Sequence, residues 1–281
     1  LTKRPQDRAI LAQTLVLCHL VIEGVLAIPG QHFIQRWITK QGILPGLTSG
    51  IDNVVSDETR HVTFGTKLLN DLMAASDECR SAVVEMLDRC TPWTVGVFIP
   101  PRRDHSYVEC FDFTLKEIYA FGLRALETRV TNIGLDPGEL YLVSRDDRSL
   151  THEQRAERLL RLVEDGILGD NARDPEVSNQ SLEILFEATT RSIDIGLARS
   201  LGGPIEWAFT DAEPWHLVVV NDHAEVKPGR AGEPALRLEL TSADWARIAV
   251  GRADPRRALL TRRLRVHGAW HAIRKLPKLF T

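Results

Sequence analysis

Glu58 and His61 stand three residues apart in the stretch SDETRHVTFG, Ser56 to Gly65. On a helix that spacing projects both side chains from one face. A carboxylate and an imidazole placed together are donors for a divalent first-row metal; they are also ordinary polar groups on a wet helix. A second carboxylate bears on the choice. Glu23 lies in an apolar run beside Leu20, Val21, Ile22, Val25 and Leu26. A carboxylate in such surroundings is costly unless something pairs with it, and a cation would. One Glu on a helix and Glu-x-x-His on another make half the ligand set of a dinuclear carboxylate centre in a four-helix bundle. The plain alternative is a salt-bridged helix in a bundle without metal.

These residues need helices to position them. Residues 6–39 read as one long helix interrupted at Ile28–Gly30, where Pro29 should kink or unwind it. The run Ala9–Ile28 has the length of a membrane span, but Gln13, His19 and Glu23 lie inside it. Charged groups at mid-bilayer are costly, so a helix buried within a protein fits better. GILPGLTSG, Gly42 to Gly50, reads as a break with caps at Thr48 and Ser49. A helix from Thr48 to Leu72 follows, its apolar residues near period 3.6, then one from Glu78 to Cys90. TPWTVGVFIPP reads as loop. The next helix, Thr114 to Ile133, ends at Gly134, which suits a left-handed cap.

The character then changes. A short amphipathic helix, Thr151 to Asp165, precedes the polar stretch GDNARDPEVSNQS at Gly169 to Ser181, read as a linker. Beyond it a helix from Ser181 to Leu201 leads into strand-like runs at Ile205–Thr210, Trp215–Val220, His223–Gly229 and Ala235–Thr241. In the last, Leu236, Leu238 and Leu240 alternate with Arg237 and Glu239, the pattern of a half-buried antiparallel strand. Asn221–His223 suits a hairpin turn. Helices from Ser242 and Pro255 and a strand in LRVHGAWHAI complete an α+β region. The division expected is a helical domain over 1–136, a linker with a short helix over 137–180, and a second domain over 181–281.

Composition bounds the function. The 281 residues are 43% hydrophobic and 26% charged, as in an ordinary globular protein, and the net charge of −3 gives no sign of a nucleic-acid partner. Cys18, Cys79, Cys90 and Cys110 form no CxxC pair, which fits reduced thiols in the cytoplasm. No signal-peptide pattern opens the chain. From Pro255 to Thr281 there are eight basic residues and no acidic one. That stretch is either a solvated face or a contact for anionic lipid head groups. The histidines of the second region, His216, His223, His267 and His271, show no catalytic spacing. Its bulky side chains Trp207, Phe209, Trp215, Trp245, Trp270 and Phe280 suit either a core or the lining of a lipid tunnel.

Two resemblances sharpen these readings. EGVLAIPGQHF, Glu23 to Phe33, followed by GILPGLTSGIDNVVSDETRHVTFGTKLL, Gly42 to Leu69, resembles the ribonucleotide reductase small-subunit family, closest to its ligand-binding oxidase branch. The 35-residue interval from Glu23 to Glu58 matches that between the third and fourth metal-bearing helices of that family. Phe111 to Leu135 resembles the helices that close the bundle. The resemblance covers roughly residues 1–136 and implies a ferritin-like bundle. Glu23, Glu58 and His61 would be ligands of an iron–iron or manganese–iron centre that activates dioxygen. Asp57 would hold a ligand histidine by hydrogen bond; His19, one turn before Glu23, is either a second such support or a satisfied core histidine. The branch also binds a long-chain fatty acid beside the metals. Its tyrosine–valine crosslink is not implied, because Cys18 stands at the tyrosine position. The first two metal-bearing helices have no counterpart, so the chain reads as a fragment, a truncated product, or one half of a homodimer pooling two sets of ligands.

The second resemblance covers Ser181 to Phe280. Trp215 to Thr241, then DWARIAVGRADP, LRVHG and LPKLF, is similar to the sterol carrier protein type 2 family. It implies a five-stranded antiparallel sheet with helices over one face, binding a sterol, fatty acid or other lipid without catalysis. Together the two imply a dimetal oxidoreductase with a lipid-carrier domain. The alternative is a non-catalytic lipid-binding or transfer protein whose helical half is only a scaffold.

Overall fold

A computed structural model describes residues 4, 6–99, 106–169 and 174–279; for Pro277 it describes the backbone alone. The chain divides into two compact units. One comprises residues 1–144 and 148–163, the other residues 145–147 and 164–281.

The first unit is helical. Helix α1 (Arg8–Leu15) passes directly into a π-helical stretch, Val16–Ala27, and then into α2 (Ile28–Gln41). Pro29 does not end this run; the helix continues through it, with the π-helical stretch directly before it. With no N–H to donate, it leaves a carbonyl of the preceding turn without its helical partner. The whole run Arg8–Gln41 is long and apolar enough to cross a membrane. Here Leu15, Val16, Leu20, Val21 and Val25 are buried against Leu69, Val83, Leu87 and Val130 of the following helices.

The break at GILPGLTSG is shorter than its composition suggests. Gly42 and Leu44 adopt left-handed backbone (φ 65° and 51°), and α3 (Pro45–Ala75) starts with Pro45 in its first turn. Thr48 and Ser49 are therefore inside the helix rather than its caps. Helix α4 (Asp77–Gly96) runs through Pro92, so TPWTVG is helix and not loop. After α5 (Ser106–Glu109), helix α6 (Leu115–Asn132) has a complete capping box, Thr114 with Glu117. Gly134 follows it with φ 76°, as its place after the helix predicts. Short α7 (Tyr141–Arg145) and amphipathic α8 (His152–Glu164) follow. Helix α8 is tied to α6 by the nearly buried Arg155, whose Nη2 lies 2.7 Å from Glu127 Oε1.

The second unit opens with α9 (Asn179–Ser192) and α10 (Ile195–Arg199) where one helix is expected. Ile193 is extended and Asp194 caps the new helix through the Leu197 N–H, which breaks the run. Strands β1 (Ile205–Phe209), β2 (Trp215–Val220), β3 (His223–Pro228), β4 (Leu236–Leu240) and β5 (Arg265–Gly268) form one sheet in the order β3-β2-β1-β4-β5. The turn between β2 and β3 holds Asn221 at φ 55°. The sheet is mixed, not antiparallel as expected, because β4 runs parallel to β1. The alternation in LRLEL reports which face of the strand is buried and says nothing of its neighbour's direction. Helices α11 (Ser242–Ala249), α12 (Pro255–Leu260), α13 (Trp270–Ile273) and α14 (Leu276–Leu279) complete the unit.

Register explains how the sheet divides its faces. Trp207 sits opposite Trp215 on one side and Leu238 on the other; Ile205 sits opposite Leu217 and Leu236. One face is thus apolar throughout. The other carries the row Lys227, His216, Glu206, Arg237 and His267, one residue per strand. Glu206 is buried in the central strand and its charge is met by Arg237 Nε at 3.3 Å and the Ala231 N–H at 2.8 Å.

Candidate functional site

In the helical unit the π-helical stretch presents His19 and Glu23 to α3, which presents Glu58 and His61. Glu23, Glu58 and His61 each offer one donor atom, and all three atoms lie within 4.8 Å of one another. His61 Nδ1 is 3.7 Å from Glu23 Oε1 and 3.8 Å from Glu58 Oε2. Glu23 and Glu58 are about one-fifth exposed, whereas His61 is 57% exposed. The Oε2 of Glu58 is shielded from solvent and has no hydrogen-bond partner. A shielded, unmet carboxylate oxygen is costly, and two carboxylates converging on one point repel. A divalent cation relieves both. Two carboxylate oxygens and an imidazole nitrogen suit a first-row ion, with further coordination positions open. Among the described residues these three do not complete a dinuclear ligand set.

The neighbours sort differently from expectation. His19 pairs with Glu23: its Nδ1 lies 2.6 Å from Glu23 Oε2. Its ring also meets the edge of Phe64 at 6.1 Å between centroids. Asp57 instead accepts a hydrogen bond from Arg60 on the exposed side of α3. Its carboxylate is committed there rather than to a histidine. Two features escaped sequence reading. The π-helical geometry at Glu23 is one; such segments recur at functional sites, and Pro29, which donates no hydrogen bond, is the nearest signal. Gly65 is the other. A Cβ there would meet His19 Cβ at 2.5 Å and Cγ at 2.8 Å, so only glycine lets α3 approach the histidine.

In the second unit the tryptophans converge on Phe186 of α9. Trp215 stacks on it at 4.8 Å, Trp245 at 5.7 Å, and Trp207 meets it edge-on at 5.1 Å. Trp207, Trp215 and Trp245 are buried and Phe209 is partly so. Trp270 is apart from this group and 72% exposed. Phe280 lies outside the described residues. Phe186, the centre of the cluster, was missed in the sequence because its helix was read without reference to the sheet beneath it.

The second unit is thus an α+β fold whose apolar sheet face lies under helices. Residues 185–281 match the SCP-2 sterol transfer family, and the second unit carries that domain. Among solved structures, the chain is similar to sterol carrier protein 2 from Yarrowia lipolytica in its apo form, at 20% identity and a TM-score of 0.27. That match covers 36% of this chain and 98% of that one. It is also similar to the stereoselective inverting sec-alkylsulfatase Pisa1 from Pseudomonas sp., at 13% identity and a TM-score of 0.31. There 88% of this chain covers 31% of the sulfatase.

Proposed function

We propose that the protein binds a long apolar lipid, a sterol or fatty acyl chain, in its C-terminal unit and carries it without altering it. The observation that bears most weight is the continuous apolar sheet face formed by Ile205, Trp207, Trp215, Leu217, Leu236 and Leu238, within the stretch that matches the sterol transfer family. An apolar ligand entering such a unit gains roughly 25 cal/mol for each Å² removed from water. Specificity would come from few polar groups, as is usual for concave apolar sites. A ligand bound only by the folded state must raise its stability. At a lipid concentration about a hundred times Kd, the unit should gain about 2.7 kcal/mol against unfolding. A thermal melt unmoved by sterols and fatty acids alike contradicts the reading.

A second reading is favoured by the unmet Glu58 oxygen beside Glu23 and His61. In it the helical unit holds iron or manganese, with Glu23, Glu58 and His61 as ligands and His19 fixing the orientation of Glu23. Completed by further donors, a dimetal centre here would supply dioxygen activation. The chain's own part is to pre-place three donors and to keep Glu58 Oε2 from water. The test is equilibrium dialysis of the purified chain against Mn(II), followed by metal analysis. Glu58→Ala should abolish retention, and His19→Ala should weaken it by about tenfold or more, the usual effect of losing a residue that orients a ligand. Equal retention by wild type and Glu58→Ala sinks this reading and leaves the carrier reading untouched.

A further inference from the structure

We propose that the outer face of α12, with the arginine-rich chain after it, docks the protein on a bilayer bearing anionic head groups. In α12, Ala258 turns to the core, while Leu259 is 37% and Leu260 86% exposed. Arg256 and Arg257 lie four and three residues before Leu260, so they flank it on the same helix face. Arg262 follows immediately, in left-handed backbone with φ 60°. Among the described residues Arg256, Arg257 and Arg262 make no ion pair. Their neighbours are already committed: Arg263 to Asp244, Arg265 to Glu239 at 3.4 Å, and Lys275 to the Ser200 hydroxyl at 2.8 Å. The adjoining acid, Asp254, accepts from the Arg256 N–H as the cap of α12, and no Asp or Glu follows it to the end of the sequence.

The result is an exposed leucine ringed by cations that have nothing else to neutralise. Water is a poor partner for the leucine, and a bilayer interface suits both groups. Each arginine beside an anionic leaflet strengthens binding about fivefold. Further along the same segment Trp270 is 72% exposed with the Arg274 guanidinium 6.0 Å from its ring centre. Tryptophan and arginine together are characteristic of membrane interfaces. Nucleic acid would satisfy the arginines but leave Leu260 in water, which is why lipid is the partner chosen. Docking goes beyond the carrier reading and stands without it, since vesicle binding requires no cargo.

The test is flotation of the full chain with phosphatidylcholine vesicles, with and without phosphatidylserine. The chain should float only with the anionic vesicles, and salt should release it. Arg257→Glu with Arg262→Glu should weaken the partition by about twentyfold or more. Leu260→Ser, which disturbs no core contact, should weaken it several-fold with an unchanged melting temperature, and Lys67→Glu on the helical unit should have no effect. Flotation with neutral vesicles to the same extent, undiminished binding by Leu260→Ser, or tighter binding to duplex DNA than to anionic vesicles overturns the proposal. Loss of lipid binding in solution with vesicle binding intact would count against the carrier reading alone.

Discussion

Gly65 is a position where a single methyl group should matter. In most exposed helical sites Gly→Ala stabilises, by about 1 kcal/mol. Here the new Cβ would fall 2.5 Å from that of His19, so the π-helical stretch and α3 must separate. Gly65→Ala is expected to cost about 1–3 kcal/mol, the usual range for overpacking, read as a lowered midpoint in chemical denaturation. Retained or raised stability would show that His19 does not rest against α3. The shared face of Glu58 and His61 was legible from spacing, and the need of Glu23 for a partner from its apolar run; that the three meet was implied by the family resemblance. The role of Asp57 was not. Arg60 competes for it at the next turn, and side-chain choice between two nearby partners is not written in spacing.

Two of the contacts that hold elements together are separately testable. Glu127 joins α6 to α8 through Arg155 and through His152, whose Nε2 lies 2.9 Å from its carboxylate. Burial works against ionisation of Glu127, but the hydrogen bonds from Arg155 and His152 outweigh it and hold the carboxyl below the ordinary glutamate range. A depressed pKa means stability that is full above the ordinary glutamate value, about 4.3. It is lost as pH falls through the lower, folded value. Glu127→Gln should therefore destabilise the helical unit at pH 7 by on the order of 2 kcal/mol, a discounted figure for a partly exposed carboxylate facing a buried arginine. That difference should shrink in strong acid. A mutant deficit that stays constant down the titration would contradict the ion-pair account. In the second unit, Phe186 is a central contact between α9 and the sheet. Phe186→Ala should cost about 3–5 kcal/mol and shift tryptophan fluorescence toward that of solvated indole. Strands β1 to β4 were legible as runs of alternating or continuous apolar residues. The parallel pairing of β1 with β4 was not, because it depends on where the chain returns after β3, and neither strand's own sequence encodes that path. The π-helical stretch was hidden for a related reason: its residues form an ordinary apolar helical pattern, and the wider hydrogen-bond spacing comes from packing.

For the whole molecule, the change of period from 3.6 to 2 after the polar stretch near residue 170 makes two structural regimes visible in the sequence. Packing moves the division between them. Helix α8, read as part of a linker, belongs with the helical unit, since Arg155 is buried against Glu127. Charge told less. A net charge of −3 conceals a basic tail in which, among the described residues, Arg263 and Arg265 are ion-paired and Arg256, Arg257 and Arg262 are not. The central claim is that the C-terminal unit is a lipid carrier. Its most direct test is an equilibrium titration of the full chain with a fluorescent fatty acid, competed by unlabelled fatty acid and by sterol. The account predicts saturable binding at one ligand per chain, displaced by at least one competitor and retained in Glu58→Ala. Non-saturable uptake, or none, contradicts it.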